Sequence, residues 1–568
     1  MVLYLYFLHK IYKEYLNRFT TMHKEYSPSI LKKLKNITLQ EICSTHFDAK
    51  YKDIIVCNEF FQKPGKEHYR FLSYISTLFN NTTIIDIGSH RGSSALALSY
   101  NSTNTIHSFD IVSNVVNEKV KAVENIHFHI ENLFDEAGQA KWETTIKNSP
   151  FIFLDVDPHN GNMEIDFYNY LKRINYCGFV ICDDIWFFKE MRNDFWYKIP
   201  DEYKYDVSDF GHWSGTGIFT FNNEIQFPKY DNSCWTMVTA YFNLTKCSDA
   251  SDEIKSRDQD YYLSHSYGCL SLPYNMVIYC DDESLPKIKK IRPDFLASRT
   301  QYIVCDFEDF SFKKNGKYLD KNFKDYRNII IENRIKNPYE FDKRNTASYY
   351  LFCMSRYLML KNVIEKNPFG STHFSWINFC IERMGYQNLL RLDHALSQKR
   401  NRFSTVYLDH IKESLVKDTR EYFLGGRWGR CSLCSGFFTG NAEYMYKVCD
   451  LIENKFLEYL DEGYGHADEQ LMCPVYYENP DLFELYYGEY FQMITNYVDI
   501  YHGYWAPVEY FAQHSINHGD YKRCMAACES LFRSHFLGKT VNNAEVMDYD
   551  RFKHLMEVYM KCLEHANS

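Results

Sequence analysis

The chain of 568 residues is long enough for about three or four domains, and it carries 64 Lys and Arg against 74 Asp and Glu, a formal charge of −10. That acidity excludes a general nucleic-acid binder, whose affinity comes from neutralising phosphates. A composition that is 45% hydrophobic and 17% aromatic excludes disorder over most of the length. The 18 cysteines are dispersed without a regular framework, which points to a reducing, cytoplasmic compartment; Cys431 and Cys434 read as ordinary buried thiols.

In chain order, residues 1–54 form a basic helical lead. Leu8, Ile11, Tyr12, Tyr15, Leu16 and Phe19 recur at helical spacing beside Lys10, Lys13 and Arg18, a pattern suited to packing on the next domain or to lying on an anionic membrane surface. No run reaches the ~18 apolar residues of a spanning helix. From residue 55 to 228, short apolar runs alternate with helical stretches, which predicts a parallel sheet covered on both faces. The clear strands are Thr83–Ile87, Thr105–Asp110, Phe151–Asp155, Gly178–Cys182 and Gly217–Phe221. A polar stretch at 222–232 marks a boundary, a second α/β series fills 229–503, and 504–568 is a wholly helical extension.

The first strand runs into Asp86-Ile-Gly88-Ser89-His90-Arg91-Gly92 and then a helix, and the next strand ends at Asp110. Glycines at 88 and 92 allow a tight turn and close approach to a ligand at the carboxyl edge of the sheet. Acids follow two later strands, Asp155-Val-Asp-Pro-His159 and Asp183-Asp184. Carboxylates at neighbouring strand ends can share a hard divalent cation.

These segments resemble class I S-adenosylmethionine-dependent methyltransferases, in particular the catechol-type and sugar-modifying O-methyltransferases. The resemblance implies a Rossmann-like fold. Asp86, Gly88, Ser89, Gly92, Asp110 and Asn132 would then bind S-adenosylmethionine, and Asp155, Asp183 and Asp184 would hold Mg²⁺ or Mn²⁺. Pro158 stands where the catechol enzymes carry their catalytic lysine, so His159 is the nearest group to take the proton of the methylated hydroxyl, and a sugar hydroxyl is a plausible acceptor.

The second series contains Asn275-Met-Val-Ile-Tyr-Cys-Asp281-Asp282, a helix with Arg356, Trp376-Ile-Asn378-Phe-Cys380, Gly436 and Gly440, His466-Ala-Asp468-Glu469 and Tyr487-Gly488. In this order they resemble the HtrL/YibB-type family with a GT-A-like glycosyltransferase fold. That implies a nucleotide-sugar donor contacted by Asp281, Arg356 and Asn378, and a divalent cation for which Asp282 and His502 are the candidate ligands. Asp468 would be the base or a sugar contact. The family's Trp-Ile-Asp pattern has Asn378 in place of its acid, which lowers the expected metal affinity.

The resulting expectation is a bifunctional enzyme of glycan synthesis that methylates a sugar hydroxyl and transfers a sugar to a glycan acceptor. Two other readings stay open: a phenol O-methyltransferase whose C-terminal half only binds, and a non-catalytic assembly protein. Richness in Asn, Lys, Ile, Tyr and Phe resembles translation of an A+T-rich genome, as in many large DNA viruses, for which the compartment would be the host cytoplasm.

Overall fold

A computed structural model describes residues 30–31, 33–34, 37–54, 67–115, 117–208, 210–221, 233–314, 316–384, 391–425, 430–498, 500, 505–538 and 547–567. The basic helix expected over residues 8–19, the boundary stretch at 222–232 and His502 lie outside the described residues. The chain divides into two compact units, Met1–Lys229 and Tyr230–Ser568. Among the described residues no helix is long and apolar enough to cross a membrane, and every described cysteine is a free thiol.

The first unit is built on seven strands: β1 Thr83–Ile87, β2 Thr105–Asp110, β3 Ile126–Ile130, β4 Phe151–Leu154, β5 Phe179–Cys182, β6 Lys204–Asp206 and β7 Gly217–Thr220. Their order is β3-β2-β1-β4-β5-β7-β6. The first five are parallel and β7 runs antiparallel to both its neighbours. Apolar residues bury both sheet faces, so the central strands read as continuous hydrophobic runs. Ile84, Ile106, Phe151, Phe153 and Ile181 share one core with helices α1 Tyr69–Ser76 and α2 Ser93–Leu98 and with Leu34, Ile42 and Phe47 from the residues preceding them. Helices α3 Glu136–Asn148 and α4 Asn162–Arg173 follow β3 and β4. Tyr168 of α4 packs its ring 5.7 Å from Phe219 of β7.

The second unit has its own seven-stranded sheet: β8 Trp235–Tyr241, β9 Asn275–Cys280, β10 Thr300–Val304, β13 His373–Ile377, β14 Ser404–Tyr407, β15 Leu433–Asn441 and β16 Tyr486–Tyr487, while β11 Lys313–Lys314 and β12 Lys317–Tyr318 form a small separate ribbon. The order is β10-β9-β8-β13-β15-β14-β16, with β15 antiparallel to β13 and β14. Alternation along β8 divides its side chains between two cores. Val238 and Ala240 face helices α5 Phe323–Lys336, α6 Ala347–Lys366 and α7 Ala442–Asp461, whereas Trp235, Met237 and Tyr241 face the core containing Leu270, Ile288 and Leu392.

Local signals place the helices. Thr346 caps α6 by accepting from the Tyr349 N–H, and Asn441, the last residue of β15, caps α7 directly. Helix α8, Asp468–Glu478, packs beside them. The C-terminal helices α9 Ala506–Asn517, α10 Tyr521–Gly538 and α11 Tyr549–Asn567 bury Phe511, Cys528 and Leu555 in a further cluster with Tyr407 of β14.

Candidate functional site

In each sheet the strand order reverses between its first and fourth strands in chain order, β1/β4 and β8/β13. Ligands of open α/β sheets bind outside the carboxyl ends of strands at such a reversal. Each unit has a cleft whose lining includes residues from that edge.

In the first unit the cleft measures about 530 Å³ and is lined by Gly88, Asp110, Asn132, Asp155, His159, Asp183 and Asp184, among others. Gly88 adopts φ +100°, and a Cβ there would lie 1.6 Å from the Asp155 carbonyl oxygen, so only glycine lets β1 turn against the end of β4. Gly88→Ala is therefore expected to destabilise the first unit by about 1–3 kcal/mol or more through backbone strain. Thermal unfolding measures this, and an unchanged melting temperature would mean that the turn relaxes freely.

Asp110 accepts the His90 N–H at 2.8 Å and the Val112 N–H at 3.2 Å, which fixes its carboxylate at the rim. Asn132 Oδ1 accepts the Phe134 N–H. Asp86, Ser89 and Gly92 do not line the cleft. Asp86 is fully buried beneath the turn, where the Ser108 hydroxyl donates to it and in turn meets Ser89 Oγ; burial pushes Asp86 up to about 6.

The three acids expected to hold a metal, Asp155, Asp183 and Asp184, divide into two groups. Asp155, Asp184 and His159 offer ligand atoms within 4.8 Å of one another. His159 Nδ1 lies 2.9 Å from Asp184 and its Nε2 3.2 Å from Asp157, and its ring stacks on Phe188. Its hydrogen bond to Asp184 holds His159 up to about 9. Burial, followed by the Asp183 charge, raises Asp155 to about 8.

Asp183 belongs to the second group, with His68 and His212. Their Nδ1 atoms lie 3.3 and 3.2 Å from its Oδ2, and the Thr216 hydroxyl donates to its Oδ1. Burial opposes the charge on Asp183, but the two imidazoles outweigh it and hold the carboxyl far below the usual range. Burial likewise opposes the charge on His68, and Asp183 overcomes it to bring the ring up to about 9. His68 opens α1 and His212 sits in the loop before β7; no strand-end pattern marks either, and sequence reasoning missed both.

In the second unit a pocket of about 340 Å³ is lined by Asn243, Asp342, Asn378 and four arginines, 257, 344, 356 and 383, with Tyr241, Tyr262, Tyr349, Phe352 and Phe379 as aromatic walls. Of the residues singled out from sequence, Arg356 and Asn378 line it; Asp281, Asp282 and Asp468 do not. Asp281 accepts the Asn243 N–H on Oδ2, which ties the end of β8 to the end of β9, and the Ser284 N–H on Oδ1 within its own turn. Asp282 is exposed. Asn378 Oδ1 accepts the indole N–H of buried Trp376 at 3.1 Å.

Arg356 donates to the Ser435 carbonyl and hydroxyl oxygens and to Asp468 Oδ2, 2.7 Å away, with both charged side chains only 4% exposed. Glu469 accepts from the Ser435 N–H and the Tyr490 hydroxyl, and burial raises its carboxyl. The space a side chain at Gly436 would need is filled by Met493 and Asn378, and Gly440 faces the Arg402 backbone, so both glycines serve packing within the protein. Arg257, Arg344, Arg383 and Asp342 were missed from sequence.

Residues 233–506, a little under half of the chain, match the family described as "Bacterial protein of unknown function (HtrL_YibB)". No curated protein matches. Among solved structures, the chain is similar to apo mouse xyloside xylosyltransferase 1 at 11% identity, over 44% of this chain and 84% of that one, with a TM-score of 0.25. It is also similar to 4-diphosphocytidyl-2C-methyl-D-erythritol synthase from Anaerococcus prevotii DSM 20548 at 11% identity, over 47% and 91%, TM-score 0.23. A third likeness is to PH0851 at 12% identity, over 27% and 45%, TM-score 0.19.

Proposed function

We propose that the protein is a two-site transferase of glycan synthesis, in which the second unit transfers a sugar from a nucleotide-sugar donor and the first methylates a hydroxyl using S-adenosylmethionine. The observation that carries the reading is that each unit places a cleft of ligand size by its sheet reversal, one lined by carboxylates and imidazoles, the other by guanidinium groups and aromatic rings. Covalent linkage of the units would raise the effective concentration of a shared intermediate.

In the first unit the Gly88 turn lets a donor approach the backbone, and Asp110, already oriented by two N–H groups, suits a pair of ribose hydroxyls. Asp155 and Asp184 offer carboxylate oxygens that fit a hard divalent cation, with His159 beside them kept as the proton acceptor and Asp183 in the same cleft. What such a cation supplies when bound is positive charge that favours an ionised acceptor hydroxyl.

The methyl carbon leaves the donor sulfur and bonds to the acceptor oxygen, while the sulfur keeps the electron pair. The acceptor proton goes to His159, whose Nδ1 is oriented by Asp184 and whose Nε2 is directed toward exposed Asp157 and solvent. Asp184 and Asp157 favour the protonated ring, and the positive charge of the methyl donor and of a bound cation would bring His159 to the neutral form that accepts.

In the second unit Arg356 is braced from behind by Asp468 and Ser435 and borders the pocket. Asp468 is on this view a positioning residue for Arg356. The aromatic walls suit a nucleobase, by stacking.

The reading is tested by calorimetric titration of the whole chain with S-adenosylmethionine, S-adenosylhomocysteine and a panel of UDP-, GDP-, CMP- and dTDP-sugars. Saturable binding of both a methyl donor and one nucleotide sugar, without competition, is expected. Absence of methyl-donor binding would remove the first activity, and absence of any nucleotide-sugar binding the second.

A further inference from the structure

The pocket of the second unit has a polarity unlike that of a metal-bridged diphosphate site. Four guanidinium groups line it, and the one carboxylate in its wall, Asp342, is already held by the fork of Arg344. Asn378 is uncharged and its oxygen is engaged by Trp376, while Asp281 spends both oxygens on backbone N–H groups. Among the described residues the groups of three that could hold a metal ion lie only in the first unit.

The arginines, by contrast, have donors to spare. Arg356 is nine-tenths buried and its Nε has no partner, and the buried Nε of Arg383 has none either. Arg257 and Arg383 form no ion pair among the described residues, and Arg257 instead lies over the Tyr261 ring. A buried, unpaired donor on a cationic side chain is costly unless something accepts from it. Guanidinium forks match phosphate oxygens in bidentate geometry, so a diphosphate would satisfy them together.

We infer that this pocket binds the diphosphate of its nucleotide donor through arginine alone, without a divalent cation. The inference rests on the donor reading given above. In the transfer, the bond between the anomeric carbon and the diphosphate oxygen breaks and its electron pair leaves with the nucleoside diphosphate. The anomeric carbon bonds to the acceptor hydroxyl oxygen, whose proton passes to solvent or a base. The charge developing on the departing oxygen is met by N–H donors of Arg257, Arg356 and Arg383, of which Arg356 is held in place by Asp468 and Ser435.

The test is calorimetric titration of the full chain with UDP, GDP, CDP and dTDP, once in EDTA and once in Mn²⁺. One diphosphate is expected to bind with a Kd that agrees between the two conditions within about threefold, a difference under 1 kcal/mol. Arg383→Ala and Arg257→Ala should each weaken it at least about tenfold, with Arg383→Lys intermediate because it keeps the charge and loses the fork. Thermal melts establish that the variants fold; both arginines are half-buried at the pocket wall. Binding that appears only with Mn²⁺ overturns the inference and leaves the donor reading standing. Binding of no diphosphate under either condition overturns both. Undiminished binding by the folded Arg257→Ala/Arg383→Ala double variant overturns the assignment to these arginines.

Discussion

Replacing Asp155 by alanine is expected to lower methyl transfer by about a thousandfold or more, the loss of several kcal/mol of charge stabilisation in the transition state. The melting temperature of the first unit should stay constant or rise. Asp155 follows β4 in a cleft shared with the Asp183 and Asp184 carboxylates, and both burial and these neighbours disfavour its charge. A carboxyl placed where burial and like neighbours oppose its ionisation marks a group kept for chemistry at some cost to stability. The same change should remove stabilisation of the unit by added Mg²⁺, which for a bound ion grows with concentration over Kd. Transfer of a labelled methyl group and thermal melts with and without Mg²⁺ measure the three effects. Full activity after the substitution would place the chemistry elsewhere, whereas loss of cooperative unfolding would make Asp155 structural.

That prediction uses a residue visible in the sequence, and the reason is geometric. Strand ends in a parallel sheet lie on one edge, so an acid after each apolar run can be assigned to a common cleft before its contacts are known. The runs themselves were legible: Thr83–Ile87 and Thr105–Asp110 have the same bounds in the structure, and Phe151–Leu154 ends one residue before the predicted limit. β3 escaped notice because Ile126-His-Phe-His-Ile130 interleaves histidines on an edge strand, and β6 because it spans only three residues beside β7.

Adjacent acids hid a different fact. Asp183 and Asp184 read as one pair, yet Asp183 turns to His68 and His212 while Asp184, at φ +62°, turns to His159. Successive residues leaving a strand point to opposite sides, and which partner each meets depends on segments far away in sequence. The same limit applies to the arginines of the second pocket. Arg356 was placed by its helix, but Arg257, Arg344 and Arg383 come from segments without periodic pattern, and only tertiary folding brings them to one wall.

Arg356→Met should destabilise the second unit by about 3–5 kcal/mol, because it leaves the Asp468 carboxylate buried without its partner. The pair is 2.7 Å apart with each side chain 4% exposed, so water cannot take over the lost contact without opening the packing between α6 and α8. Asp468→Asn should behave differently if the carboxylate only braces the arginine: nucleotide affinity falls along with stability, and kcat changes no more than the altered arginine position dictates. A base role predicts the reverse, an unaltered Kd and melting temperature with a reduced kcat. The double variant Arg356→Met/Asp468→Leu decides whether the charges are coupled. Removing both should recover a large part of the stability lost in either single variant, since an apolar pair of similar size carries no desolvation cost. Stability recovered without nucleotide binding would identify the ion pair as a device that keeps a guanidinium charged and fixed at the pocket wall, whereas additive losses would mean that the two side chains act independently and that Asp468 has a task of its own.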